Sequence, residues 1–168
     1  EKYGLQSLRR KVLFHIGSGE AEDQIVKEVK TTDLSYETID EVAGLEDWIT
    51  KIYKEGFVAV DTETTGLNPV DAKLVGISLS TESGKACYIP LRHKGENEGG
   101  LNFGGNDIKQ ISLATALSLL KPVLEDPSIL KIGQNIKYDM SIFAGENIYL
   151  NPIDDTMLMS YTLEAGLH

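Results

Sequence analysis

Apolar residues recur at helical spacing over 38–54, where Ile39, Val42, Leu45, Trp48, Ile49 and Ile52 outline one face of a helix that stops before Gly56. Phe57-Val58-Ala59-Val60 follows as a short continuous apolar run, the pattern of a buried strand. From Lys73 to Thr81 the pattern changes to alternation, with Val75, Ile77 and Leu79 set against Leu74, Gly76, Ser78 and Ser80. This predicts a second strand. Ser83-Gly84 supplies a turn and Ala86 to Leu91 a third strand, so strands two and three form a hairpin.

Leu113, Leu117, Leu120 and Leu124 fall at i, i+4, i+7 and i+11 and predict a helix from Ser112 to Asp126. Pro122 inside that pattern should kink or break it. A strand from Ile129 to Gly133, a helix from Asn135 to Gly145, a short strand from Ile148 to Leu150 and a helix from Asp155 to Leu163 complete the order. The predicted fold is α/β with a mixed five-stranded sheet: an antiparallel meander of three strands, joined to parallel strands by crossover helices.

The flanking sequence has another character. Glu1 to His15 can form a short helix through Leu5, Leu8 and Val12, and Gly17 to Asp33 is polar and weakly patterned. Residues 1–35 therefore read as a linker, partly helical or mobile, and 36–168 as the folded domain. Within that domain, residues 92–109 form a Gly/Asn/Lys/Glu loop of unusual length.

Composition narrows the function. The chain of 168 residues carries 26 acidic and 16 basic side chains, a net charge of −10. Such a chain does not hold nucleic acid by a broad basic surface, and any action on phosphates requires carboxylates that bind cations. The single cysteine, Cys87, makes neither an internal disulfide nor a zinc site, which points to a reducing, cytoplasmic setting. No apolar run approaches the roughly 18 residues of a membrane span.

Two segments carry chemistry. Asp61-Thr62-Glu63 directly follows the first strand, and carboxylates at i and i+2 on an extended chain share one face. They stand where open α/β sheets place their ligands, and two carboxylates held so close favour a divalent cation between them. A turn-capping Asp61 and a solvated Glu63 account for the spacing equally. Gly133 to Asp139 likewise leads from a strand into a helix and sets Asn135, Tyr138 and Asp139 at i, i+3 and i+4, one helical face. A helix-capping Asn135 and a solvated Asp139 remain the alternative.

Taken together, D-T-E-T-T-G-L at 61–67 and K-I-G-Q-N-I-K-Y-D at 131–139 resemble the first two motifs of the DEDD 3′→5′ exonucleases. The wording G-Q-N-x-K-Y-D, with L-L-K-P-V-L-E-D at 119–126, Y-I-P-L at 88–91 and D-T-M-L-x-S-Y at 155–161, is similar to the bacterial polymerase I family in particular. The resemblance covers roughly 36–168 and implies a ribonuclease H-like fold and a two-metal phosphodiesterase using Mg2+ or Mn2+. It implies that Asp61, Glu63 and Asp139 are the catalytic, metal-holding residues. Leu67, Asn135, Thr62 and Tyr138 would contact the 3′ end of single-stranded DNA, Leu67 as a wedge against the terminal base. The polymerase domain of a parent chain would be the partner, near the nucleoid in the cytoplasm.

The resemblance has one gap. After Asp139 only Asp154 and Asp155 remain, and neither stands four residues after a tyrosine, so the family's third motif, Y-x-x-x-D, is missing. A fragment is the expectation, one that starts in a linker after a 5′-nuclease region and stops within the exonuclease domain. Its activity should be weak. A silent scaffold that braces a polymerase domain is the alternative function. Elsewhere the residues read plainly: Asp155 as a helix N-cap, Tyr161 as core or helix surface, His93 as a solvated loop residue, and Cys87 and Trp48 as core.

Overall fold

The computed structural model describes residues 34–93 and 108–163. The helix expected at 1–15, the linker reading of 17–33 and most of the 92–109 loop lie outside the described residues.

The elements in chain order are β1 (Ser35–Thr38), α1 (Val42–Glu55), β2 (Phe57–Thr64), β3 (Leu74–Glu82), β4 (Lys85–Pro90), α2 (Leu113–Glu125), β5 (Leu130–Gly133), α3 (Lys137–Gly145), β6 (Ile153–Asp155) and α4 (Thr156–Leu163). The six strands form one mixed sheet in the order β1-β4-β3-β2-β5-β6. β2, β3 and β4 are the expected antiparallel meander, while β5 runs parallel to β2 and β6 parallel to β5.

Register sorts the side chains into two faces. Val60, Leu79 and Cys87 form one row across the sheet, and Thr62, Ile77 and Ile89 the next. All six are buried, together with Leu45, Trp48 and Ile52 of α1 and Ala116, Leu120 and Val123 of α2. α1 packs against α2, β2 and β3. Each fully buried Leu or Ile here contributes about 1.5–3 kcal/mol of transfer free energy. Trp48 is core, as expected, and its indole N–H donates to Glu37 Oε1 at 2.6 Å. Cys87 is buried too, which pushes its thiol up to about 12.

The opposite face is open. Asp61 stands across from Ser78 and Ser78 across from Tyr88, while Ala59 stands across from Ser80. A hollow of about 520 Å3 lies over this face, lined by Ala59, Asp61, Ser78, Ser80, Ala86 and Ile132.

Helix boundaries follow local chemistry. α1 starts four residues later than periodicity predicts, because Thr38 still belongs to β1 and Ile39 turns into the core ahead of the helix. It ends at Gly56, whose φ of 76° is left-handed and whose N–H donates to Ile52 O at 2.9 Å. Ser112 caps α2 by accepting from Thr115 N at 3.2 Å. Pro122 does not break α2: it is exposed, so the carbonyl it leaves without an amide partner faces water.

Two strands depart from expectation. β1, with the polar sequence Ser-Tyr-Glu-Thr and every residue exposed, pairs with β4 and raises the expected five strands to six. The strand expected at Ile148–Leu150 is not formed; β6 comes five residues further on, after a cis Asn151–Pro152 bond. Lys131 explains part of this placement. Its side chain is fully buried, and Nζ donates to Asp126 O, Ile129 O and Asn151 O at 2.8, 2.6 and 2.5 Å. The ammonium thereby ties the approach to β6 to the approach to β5.

Candidate active site on the open face of the central strand

β2 runs four residues past the apolar core of Phe57–Val60, so Asp61 and Glu63 lie within the strand and not after it. Both are exposed on the open face, as the i, i+2 spacing predicts, and Thr62 between them is buried.

β5 pairs with β2 only as far as Ala59, which leaves the edge of β2 without a strand neighbour beyond that point. α3 fills the place. Asp139, on its first turn and 2% exposed, accepts the Thr62 N–H at 3.0 Å and the Thr62 hydroxyl at 2.6 Å on Oδ1. Thr62, 8% exposed, thus commits both its main-chain N–H and its hydroxyl to Asp139. Burial holds the Asp139 carboxyl above its usual range; the Thr62 bonds oppose that, and the charge of nearby Asp61 adds to it.

Tyr138 ties the same helix to the turn after β2. Its hydroxyl donates to Gly66 O at 2.5 Å and meets Thr64 Oγ1 at 2.5 Å. The turn is closed further back, where Thr65 N donates to Lys73 O at 3.0 Å and Lys73 N to Thr65 Oγ1 at 2.9 Å. At its tip Leu67 is 96% exposed.

Asn135 is not on the helical face predicted for it. It precedes α3 with φ of 54°, a left-handed conformation that asparagine tolerates, and it accepts from Tyr138 N through its main-chain carbonyl. Asp155 takes over the capping: its carboxylate accepts from Asn135 N and Ile136 N ahead of α3, and from Met157 N and Leu158 N in α4. The expectation of an N-cap at Asp155 holds for its own helix and extends to a second. Tyr161 lies exposed on α4, which buries no residue.

His93 departs from its reading as a solvated loop residue. It is half-buried, and its Nε2 lies 2.6 Å from the Tyr88 hydroxyl. The signal in the sequence was Gly76: an isolated glycine inside a strand marks close approach by another group.

Hard carboxylate oxygens suit a divalent cation, and the repulsion between Asp61 and Asp139 is what such a cation relieves. The donor chemistry therefore fits. Among the described residues, however, no three His, Cys, Asp or Glu side chains converge as a metal-holding group. Asp61 and Glu63 share a face, and Asp139 stands at the edge of the strand on Thr62, close enough for the charge of Asp61 to act on it.

Comparison with known proteins bears on this arrangement. A family profile described as 3′-5′ exonuclease matches residues 36–168. DNA polymerase I of Rhizobium leguminosarum is 42% identical over 141 residues, which cover 79% of this chain and 14% of that protein. DNA polymerase I of Pseudomonas aeruginosa is 36% identical over 151 residues, covering 88% of this chain and 15% of that protein. The chain thus spans a small part of the length of either relative. Among solved structures, Escherichia coli RNase D superposes with a TM-score of 0.53 at 20% identity, over 76% of this chain and 28% of the other. Brucella melitensis NrnC with bound Mg2+ gives 0.52 at 21% identity, over 82% and 56%. At such identities the likeness is one of fold.

Proposed function

Since the chain belongs to the 3′-5′ exonuclease family of DNA polymerase I, we propose that its open sheet face removes nucleotides from the 3′ end of single-stranded DNA, with Asp61, Glu63 and Asp139 as the carboxylates that hold divalent cations. The sheet is of the ribonuclease H-like type shared with nucleases such as RNase D. The observation that carries the proposal is the pairing of two exposed carboxylates on β2 with a third, buried one that Thr62 fastens beside them.

Divalent cations, when bound, supply charge neutralisation at the phosphoryl group and a more acidic water. The chain's own residues supply position. Thr62 fixes the Asp139 carboxylate through two donors, so that oxygen does not have to be ordered when substrate arrives. Tyr138 holds Gly66, and thereby aims Leu67 away from the protein, where it can press on a terminal base. The left-handed turn at Asn135 and the Asp155 carboxylate set where α3 begins, and so where Asp139 stands. With a net charge of −10 the protein offers no broad basic surface to a phosphate backbone, and cations held at this site would supply the attraction. The relatives further suggest a polymerase domain as the partner and the nucleoid as the setting, and residues 1–35 as a linker from a preceding region.

The test is shortening of a 5′-labelled single-stranded DNA oligonucleotide in Mg2+ or Mn2+, by this chain and by the longer protein of which its relatives are examples. Asp61→Ala should lower the rate by more than about 100-fold, the upper end of what outer-shell partners cost. Unchanged shortening by Asp61→Ala would refute the ligand assignment. Preference for an RNA oligonucleotide would move the substrate class instead. The scaffold alternative is not favoured, since the relatives are DNA polymerase I proteins, the matching family is described as 3′-5′ exonuclease, and the three carboxylates are retained.

A further inference from the structure

Tyr88 is placed by register on the face that carries the carboxylates. Asp61 stands across from Ser78, and Ser78 across from Tyr88, so these three side chains rise from one row of the sheet. The neighbouring row holds Glu63 across from Gly76.

The Tyr88 ring leans from its own row into the next. A Cβ built on Gly76 would lie 2.0 Å from the Tyr88 hydroxyl oxygen and 2.4 Å from Cζ. The tip of the ring therefore occupies the place of the missing side chain at 76, directly opposite Glu63. Cβ atoms of facing residues lie about 5 Å apart, which puts the hydroxyl roughly 3–7 Å from Glu63 Cβ and within reach of its carboxylate.

The hydroxyl is held there from behind. Tyr88 Oη and His93 Nε2 are 2.6 Å apart, with the rings edge to face at 81°. His93 is itself clamped: its N–H donates to Gln110 Oε1 at 3.1 Å, and Gln110 Nε2 donates to His93 O at 3.1 Å. Tyr88 has a single proton to give. If the imidazole donates its Nε2–H to the phenol oxygen, the phenol proton is free to point at Glu63.

We propose that Tyr88, backed by His93, is a positioning residue of the exonuclease site, its hydroxyl donating to Glu63 and fixing the rotamer in which that carboxylate turns toward Asp61. Glu63 is exposed and has three side-chain torsions; holding one arrangement costs entropy that a fixed donor offsets. The assignment rests on the reading of Glu63 as a cation ligand.

Mn2+ titration of the chain by calorimetry, and exonuclease kcat and KM on single-stranded DNA in the longer protein, test it. Tyr88→Phe keeps the ring over Gly76 and removes only the hydroxyl. Mn2+ affinity should fall about 10- to 100-fold, the cost of losing an outer-shell partner, and kcat should fall with it, with KM and melting temperature nearly unchanged. His93→Leu should share the defect, and His93→Gln, which keeps a donor, should restore most of the activity. Mn2+ affinity within twofold of the parent in both Tyr88→Phe and His93→Leu would overturn the proposal and leave Tyr88 as a filler of the Gly76 gap. If Glu63→Gln also leaves Mn2+ affinity unchanged, the ligand reading fails first and this proposal with it.

Discussion

The two sides of β2 differ in what surrounds them. Val58, Val60 and Thr62 enter a core roofed by α1 and α2, whereas Ala59 and Asp61 line an open hollow and Glu63 lies exposed further along the same face. With a side-chain period of two, each functional residue sits one position from a core residue, so the packed face sets the precision of the open one. Thr62 is the clearest case. It points into the covered side, yet what it binds there is Asp139, the buried member of the acidic set.

Breaking the covered side should cost most. Its thiol reports the difference as reactivity. With Cys87 pushed up to about 12 from 9.0, thiolate at pH 8 is about a thousandfold scarcer than in the unfolded chain, equivalent to about 4 kcal/mol in barrier. Labelling by a thiol reagent should be slow in buffer and fast in urea; prompt labelling of the native protein would mean the covered face opens. Leu120→Ala, at a fully buried position of α2, should lower stability by about 3 kcal/mol in urea unfolding.

Thr62→Val lies between the two sides. It preserves shape but deletes the hydroxyl donor to Asp139, and should cost about 1–2 kcal/mol at neutral pH. The sign with pH follows from the raised Asp139 carboxyl. The folded chain keeps that proton at pH values where the unfolded chain has lost it, so without metal this group's contribution falls as pH rises from the unfolded to the folded value. Thr62→Val raises the folded value further and should steepen the fall; a flat profile in the variant would sink this account. Ser78→Ala, on the open face beside Asp61, should change stability by no more than about 0.5 kcal/mol.

Much of this was legible because periodicity and motif agreed. α2 was readable from its leucines and Ser112, the hairpin from Ser83-Gly84, and the shared face of Asp61 and Glu63 from their spacing. β1 was not, since four exposed polar residues carry no alternation and the strand exists only through pairing with β4. β6 was displaced because Lys131, an ordinary surface residue by type, is buried on three carbonyls that no local pattern announces. Asn135 was misplaced by two residues because a left-handed residue before a helix looks, in sequence, like its first turn. His93, read as a solvated loop residue, instead meets Tyr88, whose ring has its place only because another strand carries a glycine there.

That glycine also constrains how the sequence can change over time. As long as the Tyr88 ring keeps its place, any side chain at position 76 collides with the ring tip, so alanine at 76 requires the ring to move. A lineage that first shortens residue 88 opens position 76 to ordinary strand residues, and once that space fills, a tyrosine at 88 can no longer lay its ring there. The two sites are coupled in order: divergence should pass through 88 before 76, and reversal should require both changes undone in the opposite order.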